Sequence, residues 1–251
     1  MTRLVFFLFT IAICALVFIG CTQSISNLPA TTTTTSEPAG SVSTTTSTSS
    51  PGSTSSSTTT TTTTTSSTTT VTLGSVPNSM TLNTDGFSEG GYISTLFAYT
   101  EITGGQNSSP GISWESEPAE TQSFVFTMRD TSMEAELGEA VYHWVVINIP
   151  TSVTSIEDTA SATTDSYKGA TMPVGCVEIK NNVSNLVGYE GPWPPTGEKH
   201  LYTFTLYALN TDSVSLEANT VISEALFGNA VYPYVLDYDE VHAWYDENAG
   251  Y

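Results

Sequence analysis

Two of the three histidines in this chain stand where a strand meets a loop. His143 opens the apolar run Tyr142-His143-Trp144-Val145-Val146-Ile147-Asn148-Ile149, and His200 opens a second run directly after a Gly/Pro-rich segment. Asp130 closes a third run, and Tyr202 lies two residues beyond His200. Strand ends at loops are where sandwich folds carry sites. Two imidazoles can donate to the oxygens of an anion such as phosphate, a phenol adds one more donor, and backbone N–H groups in a Gly/Pro turn add others. A carboxylate repels an anion, so Asp130 serves either to orient an imidazole and keep it protonated or to receive an ammonium group of the ligand. A lone histidine at a strand end is more often structural, so this reading depends on the residues converging. Catalysis ranks behind binding: no Ser lies in a nucleophile elbow and no metal motif is present. His242 stands beside Asp239, Glu240 and Asp246, which read as a solvated acidic helix face in preference to a weak cation site.

The elements that must position these residues are mostly strands. Ser123–Met128, Tyr142–Ile149 and His200–Leu209 are rich in strand formers, and Pro150 closes the second run. The second is apolar enough to be buried on both sides. In the third, Leu201, Thr203, Thr205 and Tyr207 share one face, and Tyr202, Phe204, Leu206 and Ala208 share the other. A helix is expected over Val214–Phe227, stopped by Gly228, and the acidic, aromatic tail from Asp237 to Glu247 reads as one more short helix. Strands followed by late helices indicate a mostly β protein, an antiparallel β-sandwich with one or two C-terminal helices.

Three segments divide the chain. Residues 1–21 hold Arg3, an apolar run and the ending Gly20-Cys21, the pattern of an export signal. The cysteine ending favours lipidation at Cys21 over an uncleaved membrane span, and either outcome tethers the chain to the outer face of the cell membrane. Residues 22–73 are mostly Thr and Ser and cannot bury enough apolar surface to offset ordering entropy, so they read as a disordered or extended stalk. Residues 74–251 are long enough for one domain with a real core. The formal charge of −20, from 25 acidic and 5 basic side chains, argues against a nucleic-acid partner. Cys176 is the one cysteine within the domain, so no disulfide forms there, and it reads as a small buried hydrophobe. Asn107-Ser108-Ser109 and Asn182-Val183-Ser184 are N-glycosylation sequons.

Five ordered blocks resemble the phosphatidylethanolamine-binding protein family, in particular its prokaryotic, Raf-kinase-inhibitor-like branch. Asn107-Ser108-Ser109-Pro110-Gly111-Ile112-Ser113-Trp114 is similar to the family's N-x-S-P-x-x-x-W opening. Ser123–Asp130 resembles the strand leading into D-P-D-A-P, and His143–Pro150 resembles H-W-V-V-x-N-I-P. Gly188-Tyr189-Glu190-Gly191-Pro192-Trp193-Pro194-Pro195-Thr196-Gly197 is similar to G-Y-x-G-P-x-P-P-x-G, and His200–Phe204 to H-R-Y-x-F. The likeness runs from about Asn78 to the C-terminus.

The resemblance implies a β-sandwich with a small pocket at one end that takes phosphate or a phospholipid head group. Carried over by position, the pocket residues are Asp130, His143, Gly191, His200 and Tyr202, with Trp114 and Trp144 as packing supports. Ser132 stands where the family has a second Asp, and Leu201 replaces the usual Arg, removing one charge of each sign. The expected function is a membrane-tethered, non-enzymatic binding protein for a small anionic or phosphorylated ligand, without cofactor or metal. The alternatives are a protease inhibitor, or other regulator of a protein partner, acting through a surface loop, and a hydrolase using the His/Asp cluster.

Overall fold

The computed structural model describes residues 71–163 and 169–248, together with the backbone of three short strands further upstream. Those strands, β1 (Thr34–Thr35), β2 (Ser41–Ser43) and β3 (Thr64–Thr65), pair antiparallel in the order β1-β2-β3. The apolar leader, Cys21 and the rest of the Ser/Thr segment lie outside the described residues. No described helix is long and apolar enough to cross a membrane.

The remaining strands form two antiparallel sheets. The larger has the order β11 (Val235–Asp246), β10 (Lys199–Leu209), β6 (Ser123–Asp130), β7 (Tyr142–Pro150), β9 (Val177–Glu178). The smaller has the order β4 (Thr81–Thr84), β5 (Ile112–Glu115), β8 (Ser155–Ile156). Their facing sides share one core, in which Leu82, Ile112, Trp114 and Ile156 meet Phe124, Phe126, Trp144, Phe204 and Leu206. The outer face of the large sheet is also apolar, through Val125, Tyr142, Val145, Ile147 and Tyr207. Phe227 and Val231 of α2 (Glu224–Val231) cover it. A sheet covered on both faces needs continuous apolar strands, which is why β7 reads as one unbroken run.

Two expected helices are corrected. The tail is no helix: Val235–Asp246 is a strand, with Val241, Ala243 and Tyr245 buried at period two. Its carboxylates are not a solvated face. Asp237 is buried and accepts from the N–H groups of Ser79 and Met80, and Asp239 accepts from the N–H of Leu82 at 2.8 Å. The acidic side chains thus tie β11 to the segment entering β4. The helix expected over Val214–Phe227 starts later, at Glu224, where the Ser223 hydroxyl caps it by accepting from Leu226. Gly228 lies inside this helix and does not stop it; a Cβ there would press on the Tyr232 ring and the Val71 carbonyl, each at 3.1 Å.

A short helix that the sequence reading missed, α1 (Thr131–Leu137), leaves the end of β6. Asp130 caps it by accepting from the Met133 N–H at 2.8 Å. Gly138 ends it in the left-handed region, with φ 73°, and returns its N–H to Glu134. A Cβ at Gly138 would meet nothing within 4 Å, so the glycine is there for its backbone alone. We expect Gly138→Ala to cost about 1 kcal/mol in urea denaturation without altering the core. A cost near zero would mean that the αL cap is dispensable.

Candidate functional site

Strand register brings the predicted residues to one end of the large sheet. Tyr202 of β10 lies directly opposite Asp130 of β6. Side chains at even positions of both strands point into the shared core, so Asp130, His200 and Tyr202 face inward together. His143 joins them through an irregularity in β7. Met128 pairs with Trp144 and Arg129 with Tyr142, which leaves His143 as the extra, bulged residue. Tyr142 faces the outer core and Trp144 the inner one, and the bulge lets His143 share the inner side with its neighbour. The His143 and Tyr202 rings meet edge to face, with centroids 5.2 Å apart.

A buried ion pair joins residues 70 positions apart: His200 Nδ1 lies 2.7 Å from Asp130 Oδ2, with both side chains buried. Burial alone would push Asp130 up, but the hydrogen bond from His200, the neighbouring His143 and the Met133 N–H hold its carboxyl below the ordinary value. Burial opposes charge on His200 as well, yet Asp130 and then Glu198 raise it above the ordinary imidazole value. The pair thus favours the charged form of His200 and orients its ring.

His143 is different. Its Nδ1 lies 2.9 Å from the Glu190 carbonyl, which can only accept, so this nitrogen carries the proton and Nε2 is the free ring atom. Burial lowers its pKa, only partly offset by Asp130 and the carbonyls of Glu190 and Gly191. The Tyr202 hydroxyl is buried without a well-aligned hydrogen bond, and burial and the Asp130 charge hold the phenol well above its ordinary range. A buried hydroxyl without a well-aligned bond is one that a further polar group could satisfy.

Gly191 sits at this site in a different role from the expected one. Its N–H is not a free donor, because it donates to Asn107 Oδ1 at 2.6 Å. Its value is the absence of a side chain: a Cβ would lie 2.2 Å from the Phe97 carbonyl oxygen. The loop Gly188–Gly197 lies flush on residues 97–107, held also by Tyr99 N–H to Pro192 O (3.0 Å) and by the Tyr189 hydroxyl, which donates to Phe97 O (2.8 Å). The Gly/Pro loop has no cis bond, nor does any other described peptide. Asn107 is buried, and its amide also donates to Thr163, so this sequon asparagine is locked inside the fold. Asn182 is likewise engaged, accepting from the Tyr142 N–H and donating to Ala140 O.

Trp144 and Trp114 are buried packing supports, and burial together with the nearby Glu178 pushes the half-buried Cys176 thiol up to about 11. Ser132 accepts from the Leu201 N–H at 2.9 Å, so it fastens the start of β10 to α1. Two carboxylates near the site escaped sequence reasoning. Glu190 is buried, with a raised pKa, and occupies a variable place in the loop motif. Glu198 lies 3.6 Å from His200 Nε2. Among the described residues no group of three or more His, Cys, Asp or Glu side chains is arranged to hold a metal ion.

The sequence profile of phosphatidylethanolamine-binding proteins matches residues 83–246, which contain every residue of this cluster. The chain belongs to the phosphatidylethanolamine-binding protein family. Among curated relatives, the UPF0098 protein YbcL of Escherichia coli is 35% identical over 125 residues, 49% of this chain and 63% of YbcL. That alignment spans less than two thirds of YbcL. A UPF0098 protein of Methanothermobacter thermautotrophicus is 33% identical over 132 residues, 53% of this chain and 78% of its own length. The crystal structure of YbcL, described as a new member of the mammalian family, superposes with a TM-score of 0.58 at 26% identity. That superposition covers 67% of this chain and 98% of YbcL. The protein is thus a member of the prokaryotic YbhB/YbcL-type branch, with the family's binding-protein fold.

Proposed function

We propose that this domain binds a small phosphoryl compound or phospholipid head group and is held on the outer face of the cell membrane by its N-terminus. The observation that carries the binding reading is the His200–Asp130 pair at 2.7 Å, beside His143 and a buried Tyr202 hydroxyl that lacks a well-aligned hydrogen bond. A pre-oriented imidazolium and a phenol are donors for phosphoryl oxygens, and a site that holds them rigid loses little entropy on binding. The family name supports the same class of ligand.

Binding should tighten as pH falls. His200, whose pKa Asp130 and Glu198 raise, keeps its charge to higher pH than an ordinary histidine. His143 gains its charge only below that range. Glu190, whose pKa burial raises, loses negative charge over acid pH in the same direction. Facing these groups are Asp130, which stays ionised because its pKa is lowered, Glu198, and Tyr202, which stays neutral. Calorimetry with phosphoethanolamine at about pH 5.5 and 8 brackets the unperturbed histidine value of ~6.5. We expect roughly tenfold tighter binding at the lower pH, the effect of about 1.4 kcal/mol. Inorganic sulfate, whose charge is constant over this window, separates titration of the protein from that of the ligand. Absence of binding at both pH values would end this reading.

The tether is supported by the apolar run after Arg3 and its Gly20-Cys21 ending. Cys21→Ser should release the protein from the membrane fraction if lipid is the anchor, and leave it there if the leader spans the bilayer.

A further inference from the structure

We propose that Glu198 selects the ligand's charge, disfavouring a bare phosphate dianion and favouring an oxyanion that brings its own cationic group. This rests on the binding reading above and assigns a residue that sets its specificity.

His200 Nδ1 is occupied by Asp130, so a ligand can meet this imidazolium only at Nε2. That atom already faces a carboxylate: Glu198 Oε2 lies 3.6 Å away. The Glu198 side chain is 54% exposed while that of His200 is 3% exposed, so the glutamate forms the rim and the histidine the floor. The separation is too long for a hydrogen bond, which leaves an ion pair that a ligand oxygen can displace. Glu198 is placed by the turn before β10, where its N–H donates to Pro195 O at 3.0 Å.

The neighbouring cations do not compensate. Lys199 is turned onto the Trp244 ring, with Nζ 4.2 Å from its centroid. Arg129 lies on the outer face of the sheet, paired with Glu134 through its Nε at 2.6 Å. Position 201 is Leu. Two carboxylates, Asp130 at 2.7 Å and Glu198 at 3.6 Å, therefore flank the single imidazole of His200. A dianion entering here meets a surplus of negative charge at the rim. A zwitterion such as phosphoethanolamine places its phosphoryl group on His200 and its ammonium on the displaced Glu198 carboxylate, and so balances both.

Calorimetry on the full chain in detergent, at one neutral pH, decides the matter with inorganic phosphate and phosphoethanolamine as probes. The wild type should bind phosphoethanolamine more tightly than phosphate. Glu198→Gln, a change on an exposed turn, should tighten phosphate binding about tenfold and remove most of the preference. Glu120→Gln removes the same charge from an exposed position before the far end of β6 and should leave both affinities unchanged. If Glu198→Gln leaves the phosphate-to-phosphoethanolamine ratio as in the wild type, Glu198 is not the selector, although the site stands. Equal effects from both variants would assign the change to net charge and overturn the proposal. If neither probe binds to the wild type or to Glu198→Gln, the binding reading itself fails and the proposal falls with it.

Discussion

Asp130→Ala should remove about 4 kcal/mol of folding stability, within the 3–5 kcal/mol that follows when one partner of a buried ion pair is deleted. The carboxylate has two duties. One oxygen holds His200 at 2.7 Å and the other caps α1 through the Met133 N–H at 2.8 Å. Its loss leaves an imidazolium buried without its counter-charge and a helix N-terminus without its acceptor. The pH dependence identifies the mechanism. His200, raised in the folded state, contributes stability that is fully present below the unfolded histidine value and is lost as pH rises through the raised folded value. Asp130, lowered in the folded state, contributes stability that is present above the unfolded carboxyl value and is lost as pH falls through the lowered folded value. The pair is therefore worth most between those two ranges. Urea titrations of wild type and variant from about pH 4 to 9 should show their difference at its largest in mild acid, between the ordinary carboxyl and histidine values of ~3.9 and ~6.5, and falling as pH rises beyond them. A difference that is small and flat across pH would contradict the ion pair.

Gly191→Ala should be nearly as damaging, at about 3 kcal/mol, although it adds one methyl group. The new Cβ would lie 2.2 Å from the Phe97 carbonyl oxygen and 2.7 Å from both Ala98 C and Tyr99 N. These are backbone atoms, so no side chain can swing aside to relieve the overlap. The loop must lift, which breaks the Gly191 N–H bond to Asn107 and shifts the Glu190 carbonyl that fixes the His143 tautomer. The variant should thus lose ligand affinity as well as stability, measured by calorimetry and urea denaturation respectively. Unchanged stability with intact binding would show that the loop does not need its close seat on residues 97–107.

Much of the frame was legible because it depends on periodicity. The expected strands Ser123–Met128, Tyr142–Ile149 and His200–Leu209 lie within the observed β6, β7 and β10, and the alternation in β10 assigned Phe204 and Leu206 to one face and Tyr207 to the other. β11 was misread because Asp237 and Asp239 look solvated in a sequence, whereas their oxygens satisfy backbone N–H groups of the 79–82 segment. α1 was missed since its pattern is a cap residue, one turn and a glycine, too short for apolar periodicity to register.

Of the site, Asp130, His143, His200 and Tyr202 could be named from strand ends and from motif. The family motif also named Gly191, but its role was not legible, because the partner of its N–H is a side chain 84 positions away. Nor was the bulge legible: plain alternation would place His143 and Trp144 on opposite faces, and only the pairing with β6 reveals the extra residue. Glu198 stands in the turn between two recognisable motifs, and its approach to His200 is a matter of turn geometry alone.

The central claim is that His143 and His200 line one binding site. With three histidines in the chain, their ring resonances can be followed individually by NMR while phosphoethanolamine is added. His242, half exposed beside Glu89, serves as the internal reference. The account predicts that His143 and His200 shift together with a common dissociation constant while His242 stays still. Movement of only one of them, or two different constants, would contradict it.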